Sequence, residues 1–373
     1  MRILQLTSDW KWTGPAEPLV HAVTGLRALG HDVDAAFPLP PEGASSSLFE
    51  RARERGVEPV YSPARGQGYV PLRDRTEVLR LRRFLAGRRY DVVHVQHARA
   101  HLWAWWAIRG LANKPKLVAS WTHGDPIPRR FWNQWLYGPR GCDVLCVLSE
   151  RLAADSRSWL GGPPERVAVV PGVVDTDFFA PRSKSPKLMA ELGIKETDVV
   201  IGLVARLQPH RQVGLILEAL KLALEKAPDL KLLVVGRGTK AKEVLEDPVQ
   251  RLGLQHAVIR AGYRREDYRD VLALMDALVF LVPGSDGSSR AVLEAMSMGI
   301  PVVSSRRGTL PEVIGAGESG WTCDEHIDVV ASALAEIAMD RETRMLRGVA
   351  ARPRVASLHS IRAVSEVLAY AYA

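Results

Sequence analysis

Short runs of apolar, mostly β-branched residues recur along the chain, and most are followed by a longer stretch with apolar positions at helical spacing. RILQLTS, HDVDAAFP, DVVHVQH, KLVASWTH, CDVLCVLS and RVAVVP read as strands buried on both faces, because their apolar residues are nearly continuous. Between them, Glu17–Leu29, Thr76–Gly87 and Ala98–Leu111 read as helices. Strand–helix alternation of this kind builds a parallel sheet with helices on both faces. The pattern halts at PGVVDTDFFAPRSKSP, where Pro171, Pro181 and Pro186 punctuate polar residues as in a linker. A second set then begins: VVIGLVAR, KLLVVGRG, AVIRAGY, ALVFLVP and PVVSSRR.

The expected fold class is therefore α/β, with two tandem Rossmann-like, doubly wound parallel-sheet domains facing across a cleft. Residues 1–178 form the first domain and 179–356 the second. Residues 357–373 hold a last helix, Ser360–Ala373, expected to pack back on the first domain. Ligands of open α/β sheets bind at the carboxyl ends of the strands, so both domains are expected to offer that edge.

Composition narrows the class. The 373 residues are 47% hydrophobic and 25% charged, as in soluble globular proteins. No run approaches the ~20 apolar residues that span a bilayer. MRILQLTSDW reads as a buried strand rather than a signal peptide. Cys142, Cys146 and Cys323 supply neither a disulfide framework nor paired metal spacing. The expected location is the cytoplasm, with contact at the inner face of a membrane left open. Net charge is +8, and every tryptophan but Trp321 lies in the first half. A basic, Trp-rich half suits an anionic surface or a sugar-containing partner, and it equally suits solvated arginine-rich helices. The basic stretch TEVLRLRRFLAGRRY, residues 76–90, could touch anionic lipid or simply cover the core with its apolar side. Nothing in the pattern points to nucleic acid.

Candidate chemistry concentrates in residues 283–303, PGSDGSSRAVLEAMSMGIPVV. A Gly/Ser-rich turn, Gly284 to Ser289, precedes a helix. Backbone N–H groups around Ser288, Ser289 and Arg290, with the helix dipole, can cradle an anion. Asp286 would sit at the mouth and Glu294 two turns into the helix. Two carboxylates beside an anion cradle suit a ligand with hydroxyls and phosphates, such as a nucleotide sugar. Arg206 and Arg211, just after VVIGLVAR, could grip a diphosphate with paired N–H donors. In the first domain, Gly14 follows strand one and could admit a phosphate close to the backbone. His123, at the end of KLVASWTH, could donate a hydrogen bond to a sugar hydroxyl or a phosphate. Asp32-Val33-Asp34 and Asp175-Thr176-Asp177 mimic a metal motif but have no third oxygen ligand nearby in sequence, so no metal site is expected.

Taken together, VARLQPHR, LLVVGRG, VIRAGY, SDGSSRAVLEAMSMGIPVV and RRGTLPEVIGAGESGW resemble the family-four retaining glycosyltransferases of the GT-B fold. GHDVDAAF, DVVHVQH, SWTHG and PGVVDTDFF match in order, so the resemblance covers nearly the whole chain. It implies that Arg206 and Arg211 hold the donor diphosphate, Asp286 the sugar hydroxyls and Glu294 the ribose. It implies that Gly14 lets its loop approach the phosphate or sugar and that His123 sits beside the donor sugar. Gly308, Thr309 and Leu310 are implied to line the loop near the sugar and phosphates. The chain departs from the family pattern at three places: Asp286 stands for Glu, Arg211 for Lys, and Thr13-Gly14 for Gly-Gly.

The expected function is metal-independent, retaining transfer of a sugar from a nucleoside diphosphate sugar to an acceptor hydroxyl, in cell-envelope glycolipid, polysaccharide or glycoconjugate synthesis. No cofactor is expected beyond the nucleotide-sugar substrate, and the acceptor is an unidentified sugar, lipid or glycan. The alternatives are a nucleotide-sugar epimerase on the same fold and a non-catalytic nucleotide-sugar-binding protein.

Overall fold

The structure is a computed structural model that describes residues 1–12, 16–44, 47–65, 70–283, 287–315 and 317–373. Gly14 and Asp286, both expected at the site, lie outside the described residues. Two compact units emerge. The first comprises Met1–Val173, Ile361–Ala373 and a short piece ending at Ser288; the second runs through the rest of Val174 to Ser360.

The first unit holds a seven-stranded sheet of β1 (Arg2–Leu6), β2 (Asp32–Ala36), β3 (Pro59–Tyr61), β4 (Val92–Val95), β5 (Lys116–Trp121), β6 (Val144–Val147) and β7 (Val167–Val169), in the order β3-β2-β1-β4-β5-β6-β7. The second holds a six-stranded sheet of β8 (Val199–Val204), β9 (Leu230–Val235), β10 (Val258–Gly262), β11 (Ala277–Phe280), β12 (Val302–Ser305) and β13 (Gly320–Cys323), in the order β10-β9-β8-β11-β12-β13. Every pairing between these strands is parallel. Each strand must then cross over through a helix, which buries both sheet faces. Successive side chains accordingly enter different cores. Ile3 packs on one side of the first sheet and Leu4 and Leu6 on the other, and Val200 and Ile201 divide likewise in the second.

The sequence reading missed two edge strands. β3 is three residues long and opens on a proline, and β13 is Gly-Trp-Thr-Cys, so neither carries a β-branched run. It also started one helix late. That helix runs Pro71–Ala86, because Pro71 at its first turn lacks only an N–H that no helix uses there. It buries Glu77, Leu81 and Leu85 and packs on the helix Ala98–Ile108.

The last helix, Ile361–Tyr372, packs on Ala16–Ala28 within the first unit. Its Tyr372 hydroxyl lies 2.8 Å from Gln5 Nε2 and 2.6 Å from His94 Nδ1, and His94 Nε2 lies 2.7 Å from Ser120 Oγ. Burial holds His94 neutral, pushing its pKa down to about 3, and pushes His101 down to about 4. Both values lie below the unfolded histidine's ~6.5. The unfolded chain therefore takes up protons first as pH falls, and stability present above pH ~6.5 is lost below it. Urea unfolding is expected to show a loss of order 1 kcal/mol per histidine per pH unit between pH ~6 and ~4.5, reduced in His94→Gln.

In the second unit, the loops leaving β8 and β9 meet. Ala205 N–H donates to Val235 O at 3.1 Å and Leu207 N–H to Arg237 O at 3.2 Å. Gly236 has a φ of 142°, and a Cβ there would fall 2.0 Å from Ala205 O. Gly236→Ala is therefore expected to lower unfolding stability by about 2 kcal/mol or more, measured in urea.

Candidate functional site

In the second sheet the strand order reverses between β8 and β11, and such switch points open a crevice at the carboxyl edge. Arg206 and Arg211 follow β8, and residues 287–294 follow β11. Arg206 is exposed. Arg211 is half-buried, and its Nη1 donates to Val282 O at 2.7 Å, which ties the two loops together. Gln212 adopts a left-handed φ of 58° and opens the helix Val213–Leu224.

The helix after β11 begins at Arg290, directly after the turn that the sequence ends at Ser289, and Ser289 itself adopts a left-handed conformation with φ 53°. Glu294 thus lies one turn into the helix, not two. Its carboxylate is buried, accepts from the Tyr268 hydroxyl at 2.7 Å and lies 3.5 Å from Arg290 Nε. Two oriented partners hold this carboxylate fixed at the helix start, where it can accept from a pair of vicinal hydroxyls. Tyr268 was not anticipated; it lies in GYRREDY, where no periodicity sets it apart. Ser288 falls in the first unit and Ser289 in the second, and both are buried.

After β12, Gly308 takes a φ of 57° and Thr309 is buried at the start of the helix Leu310–Ile314. The side chain of Leu310 is fully buried in the apolar core.

The first sheet reverses between β1 and β4. Thr7 and Asp9 follow β1, and His97 follows β4. The Thr7 hydroxyl lies 2.7 Å from His97 Nδ1, and Asp9 accepts from Lys11 N–H at 3.0 Å. His97 is held below the usual histidine range, chiefly by burial; the Asp9 charge opposes the shift and His123 adds to it. His123 itself is exposed after β5, with its ring 4.6 Å from that of Trp121. A small cavity of about 50 Å³ at this edge is lined by residues including His21, Gln96, Thr122 and Ser365. Asp9 and Thr7 escaped the sequence reading as functional candidates, although a buried acid directly after strand one was their signal. Among the described residues, no group of three or more His, Cys, Asp or Glu is arranged to hold a metal ion.

Comparison with known proteins adds family and fold. Residues 184–353 match the glycosyl transferases group 1 profile, and residues 17–178 match glycosyltransferase family 4. The chain is 29% identical over 281 residues to a D-inositol 3-phosphate glycosyltransferase of Corynebacterium urealyticum, covering 69% of this chain and 66% of that protein. It is 32% identical over 263 residues to a GDP-mannose-dependent alpha-(1-6)-phosphatidylinositol monomannoside mannosyltransferase of Mycolicibacterium smegmatis, covering 65% of each. The matches thus span about two thirds of these relatives' length. Among solved structures, Anabaena Alr3699/HepE in complex with UDP and glucose superposes with a TM-score of 0.78 at 18% identity, covering 99% of this chain and 98% of that one. A glycosyltransferase from Rickettsia africae gives 0.83 at 16% identity, covering 100% and 97%. The two sheets and these neighbours are those of the GT-B fold, and the chain belongs to the group 1, family 4 glycosyltransferases.

Proposed function

We propose that this chain transfers a sugar from a nucleoside diphosphate sugar to an acceptor hydroxyl, with retention at the anomeric carbon and without a metal ion. The observation that carries the reading is that Arg206 and Arg211 follow β8 while Glu294 follows its neighbour β11, on the two sides of the switch point. Guanidiniums there suit a diphosphate, and a fixed carboxylate suits a ribose diol. Relatives named for inositol phosphate and phosphatidylinositol mannoside glycosylation support a nucleotide-sugar donor and an envelope-type sugar or lipid acceptor.

In the proposed reaction the bond between the anomeric carbon and the β-phosphate oxygen breaks, and the acceptor oxygen bonds to the same face of that carbon. The acceptor proton passes to the leaving phosphate. Negative charge grows on the diphosphate as the sugar becomes oxocarbenium-like. Arg206, Arg211 and the backbone N–H groups at the start of helix Arg290–Ser297 would stabilise it. Their positive field supplies what a divalent cation would otherwise supply. His123 is assigned to the sugar end, and the Thr7–Asp9–His97 group to the acceptor hydroxyl. The proposed setting is the cytoplasm, with peripheral contact at an anionic membrane when the acceptor is a lipid. No helix among the described residues is long and apolar enough to cross one.

The test is incubation with a panel of UDP-, GDP-, ADP- and dTDP-linked sugars in the presence of a chelator, reading nucleoside diphosphate release. One nucleotide class is expected to be turned over. Arg206→Ala is expected to cut that turnover at least ~100-fold, the scale for losing a donor to a developing oxyanion. Near-normal turnover in the variant would overturn the diphosphate assignment.

A further inference from the structure

The chain's net charge comes from one segment. Residues 71–142 contain 14 Lys and Arg against 4 Asp and Glu, a balance of +10, while the rest of the chain has 36 against 38. Two of the four acids, Asp74 and Glu77, are buried, and each faces an arginine, Arg99 and Arg80 respectively. The surface of this segment is therefore almost wholly positive.

Large apolar side chains project from the same surface. The helix Phe131–Tyr137 begins with Phe131, 79% exposed, and Trp132, 48% exposed, their rings edge to face at 5.0 Å. Arg130 lies over the Trp132 ring at 5.4 Å. One turn on from Trp132, Trp135 meets Trp105 at 4.4 Å, and Trp105 meets Trp106, which is 51% exposed. Arg109 stacks 3.5 Å over Trp105. Arg82, from the helix Pro71–Ala86, donates to Trp106 O at 2.9 Å. Isolated exposed aromatics are ordinary, but a connected group rimmed by arginines marks a binding face.

We propose that this face docks the protein on an anionic lipid surface, with Phe131 and Trp132 entering the boundary between headgroups and acyl chains. Charge complementarity identifies the occupant. Arginines beside indoles place cations at the phosphate level and rings just beneath it, and each basic side chain near an anionic leaflet adds attraction. Arg129, next to Arg130, pairs with Asp155 at 3.1 Å. The same helix packs Tyr137 against Trp121, whose ring also meets His123, so the face adjoins the carboxyl edge of the first sheet. If the transfer reading holds, the acceptor hydroxyl belongs to a membrane-borne molecule; the docking itself does not rest on that reading.

The experiment is co-sedimentation of the full chain with vesicles of phosphatidylcholine alone and of phosphatidylcholine with phosphatidylglycerol, at low and raised salt. Sedimentation is expected only with the anionic vesicles and is expected to weaken with salt. The double substitution Phe131→Ser with Trp132→Ser is expected to lower partitioning about tenfold or more at an unchanged melting temperature. If that variant unfolds, Arg109→Glu with Arg130→Glu is expected to give the same loss. Wild-type protein that stays in the supernatant, or folded variants that partition normally, would overturn the proposal. So would binding of a single-stranded oligonucleotide without vesicle binding. Nucleoside diphosphate release without vesicles is expected to be unchanged in the Phe131/Trp132 variant. Loss of release in wild type with vesicle binding intact would count against the transfer reading alone.

Discussion

Parallel pairing is the constraint on which the rest of this molecule depends. A parallel strand cannot turn back directly, so each one returns through a helix, and the helices seal both faces of the sheet. The chemistry is thereby pushed to the sheet edges, and the carboxyl edge alone presents helix N-termini. Where neighbouring strands send their helices to opposite faces, their loops separate and leave room for a ligand. Each unit has one such place, at β1/β4 and at β8/β11. Thr7, Asp9, His97, His123, Arg206, Arg211 and Glu294 all lie on or near a loop at that edge.

Smaller devices hold these edges in shape. Gly236 admits the Ala205 carbonyl where any side chain would collide. The Arg211 guanidinium bonds to Val282 O and so joins the β8 loop to the β11 loop. In the first unit the terminal helix is fixed by its tyrosine: the Gln5–Tyr372–His94–Ser120 network leaves the Tyr372 hydroxyl and both His94 ring nitrogens partnered. Such a network has one good arrangement, so it specifies how the helix docks as well as stabilising it. Gly25 adds a steric condition, since a Cβ there would fall 2.0 Å from Ser365 Oγ.

Much of this was legible in the sequence because burial on both faces writes itself as uninterrupted β-branched runs. The central strands, β1, β4, β5, β8, β9 and β11, carry such runs and were read directly. β3 and β13 were not, because Pro-Val-Tyr and Gly-Trp-Thr-Cys carry no β-branched run. Helix starts were harder. The helix expected from Thr76 begins at Pro71, and Glu294 lies one turn from the start of its helix at Arg290 rather than two. Arg206, Arg211 and Glu294 stood out by charge at strand ends. Tyr268 did not, because its link to Glu294 joins positions 26 residues apart that only the fold brings together.

The central claim is that the carboxyl edge of the second sheet grips a nucleoside diphosphate through Arg206, Arg211 and Glu294. Calorimetric titration of UDP, GDP, ADP and dTDP into the chain, with chelator present, tests it most directly. The account predicts saturable binding of at least one of them, weakened about tenfold or more by Arg211→Ala. Absence of binding by all four, or affinity unchanged in that variant, would contradict it.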